Sequence, residues 1–140
     1  MALTLKERQE FLAQPHIAAL SVAAGADRGP LSVPVWYQYR PGGEPWVITG
    51  ADSRKLKAID AAGRFTLMVQ HLAPSVRYVT VEGPVSSVTA LTDEQHREMV
   101  ERYLSGDAID AYLKQAEEFG EQVVVHLRPE HWLSKDLGSI

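Results

Sequence analysis

The stretch GADSRKLKAID, residues 50–60, places Arg54, Lys55 and Lys57 at the start of a short helix. Ser53 or Asp52 supplies a good N-cap, and Leu56 and Ile59, three apart, give the segment an inner face. The cations stand at the wrong end. The first turn of a helix exposes unpaired N–H groups and carries partial positive charge, so acidic residues are its usual occupants. Arg54 and Lys57 share a face, and Lys55 lies about 100° round from Arg54, within reach of the helix axis for a long side chain. A solvated basic face tolerates such a pattern, since each misplaced cation costs only about 0.3–1 kcal/mol. The more specific alternative is a phosphate held by the backbone donors, the Ser53 hydroxyl and the cations, with Arg54 offering a two-pronged fork.

Outward from this helix the chain reads mainly as strands. Toward the N-terminus, WVITG (46–50), LSVPVWYQY (31–39) and HIAALSVAA (16–24) are β-rich runs separated by the turns RPGGEP and GADRGP. Pro34 predicts an edge or an irregularity in the sheet. Thr4 caps a first helix that ends at Pro15. Toward the C-terminus, RFTLMVQHL (64–72) and VRYVTVEGPVSSV (76–88) are two further strands, with a bulge or bend expected at Gly83-Pro84. Thr92 or Asp93 begins an acidic-capped helix, Asp107 begins another through Leu113, and EQVVVHLRPEHWL (121–133) supplies a last strand. Six strands with inserted rather than alternating helices predict a small β-barrel, not a doubly wound sheet.

Composition narrows the classes. The chain has 140 residues, is 45% hydrophobic and 23% charged, and fits one globular domain spanning 1–140. Its net charge of −4 argues against a general nucleic-acid binder. Without cysteine there is no disulfide, thiolate metal site or thiol nucleophile. The opening MALTLKERQEFLAQ lacks the continuous apolar core of a signal or anchor, and no run approaches the ~20 residues of a membrane span, so a cytoplasmic protein is expected.

The order strand–PVWY–turn–strand–SRK–helix–strand–RYVTVEG, over roughly residues 10 to 133, resembles the pyridoxamine phosphate oxidase-like family of flavin- and deazaflavin-dependent split β-barrels. SRK (53–55) resembles the family's cofactor-phosphate motif, VRYVTVEG (76–83) its long central strand, and PVWY (34–37) the P-x-W-F stretch of its small deazaflavin-using branch. The resemblance implies a mainly β, six-stranded split barrel (an FMN-binding split barrel) with short flanking helices. It also implies a homodimer with two cofactor sites at the subunit interface.

The implied cofactor is coenzyme F420, with FMN as the alternative. Ser53, Arg54 and Lys55 would hold its phosphate with Lys57 assisting. Val35, Trp36 and Tyr37 would lie along the ring system, and strand alternation lets only one of Trp36 and Tyr37 face it. Thr49 would offer a hydroxyl near the phosphate or ribityl chain, and Gln70 would bond the ring edge or chain. Tyr78 stands where phosphate-ester oxidases of the family usually carry Gln. LSVPVWY replaces their basic R-x-x-x-x-K run, and their C-terminal dimer and substrate segment is expected to be missing. Oxidation of pyridoxamine phosphate is therefore not expected.

The resulting expectation is an oxidoreductase passing hydride to a small conjugated organic substrate. Its rival is a non-catalytic module binding a flavin, pyridoxal phosphate or haem. No catalytic dyad is expected, because the cofactor carries the chemistry. His16, His71, His96, His126 and His131 show no metal spacing and are assigned structural or surface roles, with His71 close to a cofactor contact. The resemblance also brings the C-terminal segment near the partner subunit's cofactor site, which leaves Trp132, with Lys135 beside it, open between interface or core packing and a ring contact.

Overall fold

The computed structural model describes residues 1–138, with seven strands and four helices among them. In chain order these are α1 (Leu5–Ala13), β1 (Ala18–Val22), β2 (Leu31–Val35), β3 (Trp46–Gly50), α2 (Arg54–Ala62) and β4 (Arg64–His71). Then follow β5 (Val76–Ala90), α3 (Asp93–Tyr103), α4 (Asp107–Ala116), β6 (Gln122–Leu127) and β7 (His131–Gly138). Every pairing is antiparallel, in the order β2-β1-β4-β5-β6-β3, with β7 also paired to β5. The sheet curls so that its end strands, β2 and β3, leave the gap that splits the barrel. No helix among the described residues is long and apolar enough to cross a membrane.

The strand expected over 121–133 is two strands. Pro129 has no N–H for a ladder, and the chain turns there, so β6 pairs with the far half of β5 and β7 with its near half. One 15-residue strand, β5, serves both: Val76 to Pro84 runs between β4 and β7, and Val85 to Ala90 pairs with β6. The change of partner occurs at Gly83, where an added Cβ would sit 1.8 Å from the Arg128 carbonyl oxygen. Only glycine admits that approach. The irregularity in the ladder falls just beyond, between Val85 and Ser87. Pro34 stands on β2, an edge strand, as its missing donor requires.

Alternation sends one set of side chains inward. Leu20, Leu67, Val69, Val79, Val81, Val125 and Leu127 are fully buried in a cluster that Leu56 and Ile59 of α2 join. The opposite face of β1, β4, β5 and β7 carries the cross-strand row Ala19, Met68, Thr80 and Leu133. A second, smaller cluster forms where α3 seats Met99 on Trp46 and Val124, with Trp36 and Tyr103 packed against it.

Candidate functional site

The start of α2 lies in the gap between β2 and β3. Ser53 is the N-cap: its Oγ accepts the Leu56 N–H at 3.0 Å and meets Thr49 Oγ1 at 2.7 Å. Thr49 is 3% exposed, so its hydroxyl fixes Ser53 rather than standing open to solvent. The cap leaves the N–H groups of Arg54 and Lys55 without partners among the described residues. The first turn contains no acidic residue, and no described carboxylate pairs with Arg54, Lys55 or Lys57.

Lys55 is half-buried, and burial holds its ammonium pKa below the ordinary lysine value. A cation removed from water without a counter-ion is an electrostatic cost to the fold. Lys55 and Arg54 border a groove of about 530 Å³ whose walls are Leu31 and Val33 of β2 and Ile48 to Gly50 of β3. The helix turns Lys57 elsewhere. With Arg54 it borders a separate groove of about 590 Å³ beneath the β1–β2 turn, beside Arg28. The three cations therefore do not converge on one point; Arg54 alone touches both grooves.

The aromatic pair after Pro34 divides as alternation requires, and the structure decides which member is free. Tyr37 is fully buried. Its hydroxyl shares its proton between the carbonyls of Leu12 (2.6 Å) and Gln14 (3.0 Å), and burial pushes its pKa far up. It is a core residue, and its expected place along a cofactor ring is withdrawn. Trp36 is half-buried and stacked on Tyr103, with ring centroids 4.8 Å apart and planes 10° from parallel. Together with Val35 it lines a chamber of about 270 Å³ under α3 and α4, which shares Ile48, Lys55 and Gln122 with the groove at the helix start.

Gln70 and Tyr78 sit opposite each other on β4 and β5, on the outer face of the sheet. Gln70 borders a shallow hollow with Pro34 and Met68 that meets the Lys55 groove only at Val33. Trp132 packs on the core side of β7, 6.2 Å from Tyr39 and under the Arg8 guanidinium. His71 is turned to the backbone at Ala73. Sequence spacing gave no weight to His96, Tyr112 and Gln122, which line the chamber beside Trp36 and Lys55. The signal available for His96 was its place with Met99 and Val100 on one face of α3, a stripe that looks like ordinary packing.

Comparison with known proteins gives the same architecture. Residues 4–136 match the family profile described as pyridoxamine 5'-phosphate oxidase. No curated protein matches the chain. Among solved structures, a conserved hypothetical protein of Mycobacterium tuberculosis superposes with a TM-score of 0.73 at 20% identity, covering 97% of this chain and 86% of that one. A protein described as an F420 reductase gives 0.71 at 18% identity, covering 89% and 94%. A FAD-binding protein of Mesorhizobium loti gives 0.62 at 17%, covering 97% and 95%. At these identities the structures speak for the split-barrel fold.

Proposed function

The chain belongs to the pyridoxamine 5'-phosphate oxidase family, and from that premise we propose that it is an oxidoreductase binding a phosphate-bearing flavin-type cofactor. Coenzyme F420 is favoured over FMN, and the substrate is a small conjugated organic molecule. The observation that carries the proposal is Lys55: a half-buried cation at a helix N-terminus, facing a groove with no described carboxylate to pair with it.

The donor set fits a phosphate. Two unpaired N–H groups, an ammonium and a guanidinium surround one mouth, and the capped helix fixes them without ligand-induced ordering. Arg54 and Lys55 would hold the phosphate. Ser53 would position them through its cap, with its hydroxyl proton left for an acceptor when Thr49 donates to it. Val33 and Trp36 offer apolar surface along the path from that mouth into the chamber. When bound, a cofactor of this type supplies a hydride. The protein's part is to anchor the far end, fix the ring and exclude water. Preference for F420 draws on PVWY and on the fold shared with the F420 reductase.

A homodimer is part of the proposal. The outer face of β1, β4, β5 and β7 presents Met68 and the 61% exposed Leu133 beside Gln70 and Tyr78, a mixed apolar and polar surface suited to a second copy. A cytoplasmic location remains the expectation that goes with such a cofactor.

Titration of the purified chain with F420 and with FMN tests the proposal. Binding of one of them below about 100 μM, equivalent to roughly −5.5 kcal/mol, is expected. Failure to bind either overturns it. Tight binding with no reoxidation of the reduced cofactor by a panel of quinones and enones assigns the chain to the carrier alternative.

A further inference from the structure

The chain has five lysines, and one of them stands in a different setting from the rest. Lys6, Lys57, Lys114 and Lys135 are exposed, and Lys6 pairs with Glu10. Lys55 is half-buried and lines both the groove at the start of α2 and the chamber under α3 and α4. The titratable groups that line those two spaces with it are Arg54 of α2, His96 of α3 and Tyr112 of α4, while β2, β3 and β6 contribute none. No carboxylate is among them.

This setting favours the free amine over the ammonium. Half-burial takes water from the charge, no carboxylate replaces it, and the helix start adds partial positive charge of its own. Burial accordingly holds the Lys55 pKa below the ordinary lysine value. An amine attacks an electrophile only in its unprotonated form, so Lys55 is the strongest candidate nucleophile among the five. The same groove presents the Arg54 guanidinium and two unpaired N–H groups, donors suited to a phosphate. An electrophile that carries its own phosphate would engage both, because binding the anion holds its reactive carbon beside the amine.

We propose that Lys55 is a site of acylation by acyl phosphates, which the groove recruits through their phosphate group. The lone pair of the Lys55 amine attacks the acyl carbon and forms a C–N bond. The bond from that carbon to the phosphate oxygen breaks, inorganic phosphate leaves with the bonding pair, and the amine proton passes to water. The product is a neutral amide, so the half-buried cation is lost and the side chain is longer by the acyl group. Lys57, two residues on, is exposed and borders the other groove, which makes it the internal control. The effect on the cofactor rests on the functional proposal above: an acylated Lys55 no longer holds its phosphate, and acyl phosphate switches the site off. The acylation itself needs only the amine and the anion mouth.

Incubating the purified chain, dialysed free of small ligands, with acetyl phosphate and following each lysine by peptide mass spectrometry tests this. Lys55 is expected to acetylate at least about fivefold faster than any of the other four. Inorganic phosphate at about ten times its dissociation constant should slow Lys55 about tenfold and leave the others unchanged. The N-hydroxysuccinimide ester of acetic acid carries no phosphate, and with it the preference for Lys55 should fall at least about threefold. Acetylation spread evenly over the five lysines overturns the proposal. So does a Lys55 rate indifferent to inorganic phosphate, or an equal preference with both reagents. The acetylated chain should bind its cofactor at least about tenfold more weakly, and an unchanged affinity overturns the switch. Failure of the functional proposal has a different signature: Lys55 acetylates selectively and is protected by phosphate, while the unmodified chain binds neither F420 nor FMN.

Discussion

The C-terminus of α1 and the N-terminus of α2 both lack the charge that would complement them locally, and the fold treats them differently. At the C-terminus of α1, the last turn has no basic residue of its own. Arg102, 88 to 90 residues further along, reaches in from α3 and donates to the carbonyls of Ala13 (2.7 Å) and Gln14 (2.8 Å), with Leu12 at 3.5 Å. Its guanidinium also lies 4.8 Å from the Tyr37 ring centroid. At the N-terminus of α2 the charge has the wrong sign, and no described carboxylate comes to meet it. A local mismatch is thus informative only where tertiary structure fails to resolve it. Arg102 is explained by the fold; Lys55 is not.

The largest effect that would test this contrast is at Arg102. Its replacement by Ala strips a charged donor from two half-buried carbonyls and an exposed one and should cost about 3 kcal/mol, read as a fall in urea midpoint with an unchanged slope. A loss below about 1 kcal/mol would make the two ends alike. The double variant Arg54→Ala/Lys55→Ala should behave oppositely. Its unfolding free energy should be unchanged or slightly higher, while cofactor affinity falls at least tenfold, about 1.4 kcal/mol. A drop in stability at constant affinity would return the cluster to an ordinary solvated face.

Inorganic phosphate sharpens the same point with no cofactor present. Lys55 is charged at neutral pH against the cost of burial, so an anion at its side should stabilise the native state. At ten times its dissociation constant, phosphate should contribute about 1.4 kcal/mol, seen as a rise in melting temperature that Lys55→Ala abolishes. Equal rises in both proteins would point to general salt effects. Ser53→Ala removes the cap that aims the helix start and should cost about 1 kcal/mol of stability together with some cofactor affinity. Stability lost without affinity would separate the cap from the site.

The smallest expected effect is on pH dependence, and it links both regions. Burial lowers the pKa of His16, near Arg102, and of His96, in the chamber, each from an ordinary value of 6.5. The unfolded chain then binds protons at a higher pH than the native one. Stability is therefore full above about pH 6.5 and declines as pH falls through the lower native values. His96→Leu should flatten this decline, and an unaltered acid profile would show that burial does not lower the pKa of His96.

Much of the architecture was legible because it depends on near neighbours in the chain. Thr4, Ser53 and Thr92 cap helices through residues three positions on, and all three do so. Pro34 marks an edge strand because it lacks a donor, whatever its surroundings. The arrangement of the site was less legible. The run 121–133 looks continuous in its apolar pattern, yet Pro129 divides it and sends its halves to different stretches of β5. Nothing in PVWY says that Tyr37 will find the carbonyls of α1 and leave Trp36 in the chamber. His96, on a helix that looks merely amphipathic, comes to line the same chamber as Lys55 only because the tertiary fold brings α3 beside β2 and β3.

By itself, the sequence determined that a strand-rich chain would set a capped helix bearing Arg54 and Lys55 between two strands, and that no acid would stand in its first turn. Only the tertiary structure decided that Lys55 would be half-buried in a groove, that Lys57 would face away, and that the wall beyond would be Trp36, Tyr112 and His96. The reason is range. Caps and strand alternation are set over two to four residues, whereas the surroundings of Lys55 come from segments as far apart as β2, β3, α3, α4 and β6, brought together only when the sheet curls.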